Sequence, residues 1–439
     1  MKRAVVLGGG GSRGSYQVGV WKALRELGYE YDIVCGTSVG SLNAALMAQG
    51  EYDKALELWG RITTEDVLEM EGEADVTTSP GRRKLLREFV DKFVKEGGVD
   101  PAPLERMLRQ AVDEEKIRRS PVDFGLVTVE FPTMKPLVLT KDNIPQGELC
   151  DYLMASSACY PAMKSRHIAG KQYIDGGYYS NLPVEIALEQ GADEIVAVDL
   201  DAIGVMRPVK NPGKQVVTIR CKWDLGVFLV FDPQTAARNI DLGYNDAMKA
   251  FGKLEGDWYC FFSGEIAPNC DGIVNRLGPL TGRMYYDAGM DRSRWVRGMA
   301  QEALTRILGG RPGQADVQSV LAWAEAAGRL LELDPVPVYS FDRFNNEIEK
   351  AAALLPELPA DMGEALAALT SGRSMEEWLQ SLDKKTLLAY LRSLLRESQG
   401  ERWISQADLL SLFAALAPDE LMAALYLYAL EQNMQEDEI

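Results

Sequence analysis

The stretch DIVCGTSVGSLNAAL, residues 32–46, consists of an apolar run, a turn bounded by glycines and a run of helix-forming residues. Its centre, GTSVG at residues 36–40, matches G-x-S-x-G, the pattern of a nucleophilic serine held on a sharp turn between a strand and a helix. Such serines usually transfer their proton to a histidine. The chain has 439 residues and a single histidine, His167. The sequence therefore raises the question of which residue accepts a proton from Ser38.

Upstream of this stretch, residues 3–7 form a short apolar segment, residues 8–14 a glycine-rich loop and residues 15–27 a predicted helix. Strand, helix and strand at this spacing predict two adjacent parallel strands. The alternation of apolar strands and helices continues to a glycine-proline break at residues 306–313, after which the pattern is helical. We therefore predict an α/β domain over residues 1–308 and a helical C-terminal region over residues 309–439.

The glycine loop also contains G-x-G-x-x-G at Gly9, Gly11 and Gly14. A dinucleotide-binding loop needs an acidic residue near the end of the second strand, but Cys35 and the serine turn occupy that place. Glycines also let backbone N–H groups approach a ligand closely. Because parallel neighbouring strands end at the same edge of a sheet, this loop and Ser38 are expected to lie together, as an oxyanion hole and a nucleophile.

Two residues are candidates for the base. His167 lies among basic residues in KSRHIAGK (residues 164–171), which predicts an exposed hairpin rather than a catalytic position. Asp175 ends an apolar strand and enters a glycine turn, which places it at the same edge as Ser38. An aspartate in a glycine turn is common for purely structural reasons, so on its own this position leaves the base open.

Four motifs taken together, in this order, resemble the patatin-like phospholipases of bacterial type: GGGSRG at residues 9–14, GTSVG at 36–40, ASSACYPA at 155–162 and DGG at 175–177. The resemblance covers roughly residues 1–300. It implies a three-layer α/β/α fold with a mainly parallel central sheet, in which Ser38 is the nucleophile and Asp175 the base, without histidine. The remaining implied site residues are Gly9, Gly10, Gly11 and Arg13 at the oxyanion hole, and Gly14, Gly36, Gly40, Gly176 and Gly177 in support.

The composition excludes some functions. A net charge of −18 disfavours nucleic-acid binding, which needs a basic surface. No apolar run is long enough to cross a bilayer, and the start of the chain does not fit a signal peptide. The six cysteines show neither C-x-x-C pairs nor zinc-ligand spacing. We therefore expect reduced thiols, a cytoplasmic location, and no metal or cofactor.

A carboxylate is a weak base, which favours substrates with good leaving groups, so we expect esters rather than peptides. The resemblance implies a phospholipase A or lysophospholipase acting on lipids. A lipid acyltransferase or a general carboxylesterase would use the same acyl-enzyme, and a catalytically silent lipid-binding module is the alternative from another class. The expected partner is a lipid or another ester, with transient contact to a membrane or micelle left open.

Overall fold

The computed structural model describes residues 1–69, 98–208, 213–288, 294–308, 315–358, 383–397, 410 and 413–437. The chain divides into two compact units, Met1–Phe251 and Gly252–Ile439. The division between compact units thus comes earlier than the boundary at 308/309 that the sequence predicts, and residues 309–314 lie outside the described residues. The extent of the catalytic domain stays a prediction.

The first unit is built on one large mixed sheet. The strands are β1 Arg3–Leu7, β2 Ile33–Thr37, β3 Asp123–Phe131, β4 Lys135–Thr140, β5 Arg166–Ile168, β6 Lys171–Asp175, β7 Glu194–Asp199 and β8 Gln215–Arg220. The centre of the sheet consists of the parallel strands β3, β2, β1, β7 and β8 in that order, while β4 and β6 run antiparallel to β3 and β5 runs antiparallel to β6. The predicted parallel pairing of the first two strands is confirmed, with Val5 opposite Val34.

Helices cover both faces of this sheet, as the predicted three-layer fold requires. The helices of the first unit are α1 Ser15–Glu26, α2 Val39–Gln49, α3 Tyr52–Arg61, α4 Thr64–Val67, α5 Ala102–Ala111, α6 Glu114–Arg119, α7 Leu149–Ser156, α8 Val184–Glu189 and α9 Pro233–Ala250. Strand side chains alternate between the two faces. Cys35 packs on the face covered by α8, whereas Gly36, the next residue, faces α2.

The strand β3 extends past the end of β2 and carries a different partner there. Thr37, the last residue of β2, lies opposite Val127, and Asp175 of β6 lies opposite the next residue, Thr128. Strand β4 pairs with residues on both sides of this junction and so occupies the other edge of β3. Strand β6 therefore continues the line of β2 from the opposite direction, and its last residue meets the end of β2.

The second unit is mainly helical and contains a small three-stranded sheet. Its core is aromatic: the rings of Tyr259, Phe261, Tyr339 and Phe344 pack together with centroids 4.9–6.5 Å apart. The elements are β9 Leu254–Glu255, β10 Cys260–Phe262, β11 Val338–Tyr339, α10 Ile266–Ala288, α11 Arg294–Ile307, α12 Val317–Leu330, α13 Phe341–Ala352, α14 Lys384–Glu397 and α15 Pro418–Asp437. The helical C-terminal region that the sequence predicts is confirmed.

Among the helices within the described residues, none combines the length and the apolar composition that crossing a bilayer requires.

Candidate active site

Ser38 lies on the turn between β2 and α2, in a backbone conformation that non-glycine residues rarely adopt, with φ 55° and ψ −132°. Such strain is typical of residues held in place for function. The two flanking glycines make the turn this tight. A Cβ atom on Gly36 would lie 2.3 Å from the Gly40 carbonyl carbon, and one on Gly40 would lie 2.3 Å from the Leu7 carbonyl oxygen. The G-x-S-x-G pattern is thus required by close packing of α2 against the sheet.

The strained turn is held by hydrogen bonds on both sides of Ser38. Its N–H donates to Ser156 Oγ at 3.1 Å, and the Ser156 hydroxyl in turn donates to the Val127 carbonyl at 2.8 Å. Its carbonyl accepts from the N–H and the hydroxyl of Ser41, at 2.8 and 2.7 Å. Ser156 is not among the site residues predicted from the sequence, although it stands in the ASSACYPA motif that carries part of the resemblance.

Asp175 lies beside Ser38 and is buried. Its carboxylate accepts the N–H of Gly177 at 2.7 Å, and its own N–H donates to the Ala158 carbonyl at 2.9 Å. The Ser38 hydroxyl is close enough to act as a hydrogen-bond donor to this carboxylate. The structure therefore brings together the two residues that the family resemblance pairs as nucleophile and base.

The reason for this proximity differs from the one inferred from the sequence. From the sequence, Asp175 is expected at the same sheet edge as Ser38 because it ends an apolar strand and enters a glycine turn. Strand β6 is antiparallel to β3, and Asp175 reaches Ser38 because β6 continues the line of β2 from the opposite side. Asp175 thus lies beside Ser38 through an antiparallel pairing of distant segments.

Burial raises the pKa of Asp175 from its ordinary value of 3.8 to about 6. The hydrogen bonds from the Gly177 N–H and from the Ser38 hydroxyl oppose this increase without cancelling it. A general base is most effective when its pKa lies near the working pH. Burial therefore makes Asp175 a better base at neutral pH than an exposed aspartate, while leaving it mostly ionised there.

The glycine loop has two kinds of N–H group. Gly9 donates its N–H to the Asn181 carbonyl at 3.0 Å, so this group is already used within the protein. Gly10 and Gly11 line the cavity next to Ser38, and their N–H groups make no hydrogen bond to any residue in the ranges that the structure describes. We therefore keep Gly10 and Gly11 as the candidate oxyanion donors out of the three glycines expected.

Arg13 borders the cavity, but its guanidinium contacts the protein backbone. Nε donates to the Gly226 carbonyl at 2.9 Å, and one terminal nitrogen donates to the carbonyls of Asp201 at 2.8 Å and Leu200 at 3.2 Å. These bonds connect the glycine loop to two surface loops. The geometry thus supports a positioning role for Arg13 rather than direct contact with an oxyanion.

The other expected glycines lie close to the site. Gly14 packs against Val39 and Trp59, and Gly176 lies directly on the backbone of Val127. Asn181, which is not among the site residues predicted from the sequence, is buried beside Gly9 and Gly177, and its side-chain nitrogen lies 3.4 Å from the Gly9 carbonyl oxygen. Asn181 therefore connects the glycine loop to the turn that follows Asp175.

His167 is exposed on β5, where it pairs across the strand with Gln172. It does not border the cavity that contains Ser38 and Asp175, within the residues that the structure describes. The position agrees with the exposed hairpin predicted from the sequence.

Ser38 and Asp175 open into a cavity of about 530 Å³, which is within the usual range of small-molecule sites. Its polar groups gather near Ser38, whereas most of the wall is apolar and comes from α2–α5 and two loops. The apolar lining includes Val39, Leu42, Leu46, Leu58, Trp59, Ile62, Val67, Leu104, Met107, Leu108, Met163, Phe228, Leu229 and Phe231. This arrangement suits an ester whose acyl chain lies along the apolar wall.

Part of this chain matches the model of a known protein family. Residues 5–188 match the family model described as patatin-like phospholipase. Patatin-like phospholipase domain-containing protein 6 of Homo sapiens is 31% identical over 212 residues, which cover 45% of this chain and 13% of that protein. Lysophospholipase nte1 of Aspergillus terreus is 30% identical over 204 residues, which cover 45% of this chain and 12% of that protein. The chain thus spans only a small part of these relatives.

Among solved structures, VipD from Legionella pneumophila matches with a TM-score of 0.35 and 14% identity, covering 98% of this chain and 90% of that one.

Proposed function

Residues 5–188 form a patatin-like phospholipase domain, and on this premise we propose that the protein is a serine acyl hydrolase that cleaves ester bonds of lipids. The observation that carries the proposal is the meeting of a strained serine and a buried aspartate at the polar end of an apolar cavity. Phospholipase A or lysophospholipase activity fits this arrangement best, because the cavity offers a long apolar wall next to the nucleophile.

In the proposed reaction, Asp175 accepts the proton of the Ser38 hydroxyl while Oγ attacks the ester carbonyl carbon. The carbonyl oxygen becomes negatively charged and accepts hydrogen bonds from the N–H groups of Gly10 and Gly11. The positive end of the α2 helix dipole adds to this stabilisation. When the intermediate collapses, Asp175 returns the proton to the alcohol, which leaves, and the acyl group stays on Ser38.

Water completes the cycle by the same route. Asp175 takes a proton from the water molecule as its oxygen attacks the acyl carbon, and the serine oxygen leaves as the protonated hydroxyl. The products are a free fatty acid and the original enzyme. Asp175 carries the proton throughout this mechanism, and it is a weak base. An alcohol should therefore leave far more readily than an amine. We therefore expect esters to be cleaved and peptides to remain intact.

A fluorophosphonate probe tests the dyad directly, because it labels activated serines covalently and the adduct is read by intact-protein mass. We expect the wild-type chain to gain one label, Ser38→Ala to gain none, and Asp175→Asn to react at least about 100-fold more slowly. His167→Ala is the matched control, since His167 is exposed and away from the cavity. Full labelling of Asp175→Asn, or loss of labelling in a folded His167→Ala, would contradict the proposal.

The acyl acceptor and the substrate need separate assays. A panel of phosphatidylcholine, lysophosphatidylcholine, a neutral glyceride and a matched fatty amide should give Ser38-dependent release of fatty acid from the esters only. Product analysis with added glycerol distinguishes hydrolysis from acyl transfer to an alcohol. A chain that binds these lipids but reacts neither with them nor with the probe would be a silent binding module.

We place this activity in a reducing compartment, the cytoplasm. All six cysteines are free thiols, four of them buried, and burial raises the pKa of Cys221 to about 12, which keeps its thiol protonated and unreactive.

A further inference from the structure

Two surface loops border the mouth of the cavity and carry exposed apolar side chains. The first loop covers residues 200–206 and the second residues 226–229. Ile203 is 97% exposed although it also lines the cavity. We define the rim patch as the five exposed apolar or aromatic side chains at this mouth: Tyr178, Ile203, Val205, Met206 and Val227.

The rim patch is not a random scatter of surface residues. Within the described part of the first unit, eight large apolar or aromatic side chains are exposed, and the five of the rim patch are among them. Single exposed apolar residues are normal on proteins, whereas a cluster of them marks an interaction site. Ile203, Val205 and Tyr178 also line the cavity, so the patch is continuous with its apolar wall.

The glycine loop holds both rim loops in place. Arg13 donates to the carbonyls of Leu200 and Asp201 in the first loop and to that of Gly226 in the second. Ser12 donates its N–H to the Phe228 carbonyl at 2.8 Å and its hydroxyl to the Val227 carbonyl at 3.0 Å. The exposed side chains of the two rim loops are therefore presented by backbone that is anchored next to the catalytic serine.

Three charged side chains near the rim patch, among the residues that the structure describes, have partners within the protein. The Asp201 carboxylate, at the start of the first loop, forms an ion pair with Arg220, and Asp224 accepts the Gly226 N–H at 2.9 Å. Arg207 stacks on the ring of Tyr179 with 4.3 Å between its guanidinium carbon and the ring centroid. The chain carries a net charge of −18, which gives no overall attraction to an anionic membrane surface. Binding of the rim patch to a membrane would therefore rest on apolar contact.

We propose that the rim patch inserts into the surface of a zwitterionic phospholipid bilayer and seats the cavity mouth on it. This inference deepens the proposed lipid hydrolase function and rests on it. Ile203, Val205, Met206 and Val227 enter the boundary between head groups and acyl chains, and the Tyr178 ring lies at the head-group level, where tyrosine is favoured. An acyl chain then passes from the bilayer along Ile203 and Val205 into the cavity, without crossing water.

The docking test uses the full chain with Ser38→Ala, so that lipid is not consumed, and phosphatidylcholine vesicles in a sedimentation assay. We expect binding to weaken by about tenfold or more in Ile203→Ser/Met206→Ser/Val227→Ser, because apolar surface no longer leaves water. Leu354→Ser is the matched control, since Leu354 is 86% exposed but belongs to the second unit. It should bind vesicles as the parent chain does.

A second assay separates docking from chemistry. Met206 and Val227 do not line the cavity, so Met206→Ser/Val227→Ser in the active chain should hydrolyse a water-soluble short-chain ester at the normal rate. The same variant should lose at least about tenfold in release of fatty acid from vesicles.

The outcomes of the two assays separate membrane docking from ester hydrolysis. Equal vesicle binding by parent and triple variant, or weakening by Leu354→Ser to the same extent, would overturn the docking proposal even if the soluble ester is hydrolysed. Vesicle binding that depends on the rim patch, without hydrolysis of any ester, would support docking and refute the hydrolase function. A parent chain that does not bind phosphatidylcholine at all would also overturn the proposal.

Discussion

At the scale of single residues, the site depends on one strained serine and one buried aspartate. Ser38 is held at φ 55° by flanking glycines and by hydrogen bonds to its N–H and its carbonyl. Asp175 remains a carboxylate in a position where burial disfavours charge. Both features cost stability, and both are expected where a fold is shaped for chemistry.

The raised pKa of Asp175 predicts the pH dependence of the reaction. Only the ionised carboxylate can accept the proton, so kcat/KM on a neutral ester should fall about tenfold per pH unit below pH 6 and level off above it. His167→Ala removes the single histidine of the chain. It is the control, and it should keep the same break. A profile that stays flat down to pH 4 would contradict Asp175 as the base.

Ser156 is predicted to position the nucleophile without touching substrate. Ser156→Ala removes the acceptor of the Ser38 N–H and the donor to the Val127 carbonyl. Small misplacements of a nucleophile are costly, so kcat should fall by about 10- to 100-fold with KM nearly unchanged. Ser319→Ala is the control, since Ser319 is a buried serine of the second unit that hydrogen-bonds to Asp316. An unchanged kcat in folded Ser156→Ala would show that the turn needs no such support.

At the scale of elements, the site depends on how closely α2 approaches the sheet. Gly40, in the first turn of α2, lies against the carbonyls of Leu7 and Gly8 at the end of β1. This contact sets the distance between the nucleophile and the glycine loop. Strand β6 ends beside β2 and so brings Asp175, the proposed base, to the nucleophile and the glycine loop.

Gly40→Ala tests this contact. The added Cβ would lie 2.3 Å from the Leu7 oxygen and 2.6 Å from the Gly8 oxygen, so α2 must move away from β1. We expect a loss of about 1–3 kcal/mol in the free energy of unfolding, measured by urea denaturation, together with loss of fluorophosphonate labelling. Gly60→Ala is the matched control in α3, where a Cβ meets open space, and it should stabilise the chain by up to about 1 kcal/mol. Similar effects of the two substitutions would refute the packing argument.

At the scale of the whole molecule, charge and apolar surface act in opposite directions. The net charge of −18 repels anionic surfaces, whereas the proposed insertion of the rim patch is driven by apolar contact. Screening shortens the range of the repulsion from about 10 Å at 0.1 M salt to about 3 Å at 1 M, while apolar contact is insensitive to such screening.

Vesicle composition should therefore matter in a defined direction. Ser38→Ala should bind phosphatidylcholine vesicles more tightly than vesicles that also contain phosphatidylserine, and the difference should shrink as salt is raised. Sedimentation at low and high salt measures both effects, with pure phosphatidylcholine as the internal reference. A preference for anionic vesicles at low salt would indicate a basic contact surface instead of the rim patch.

The sequence alone determined the local parts of the site. The strand-turn-helix around Ser38 and the adjacent glycine loop follow from glycine sterics and from the short parallel βαβ connection, which act over a few dozen residues. Only the tertiary structure decided the parts that depend on distant pairing. Asp175 meets Ser38 through an antiparallel strand, the Gly9 N–H is used by Asn181, and Ser156 supports the turn from α7. Hydrogen bonds between such separated segments leave no periodic signal in one sequence, because many side chains could fill each position until the backbone is folded.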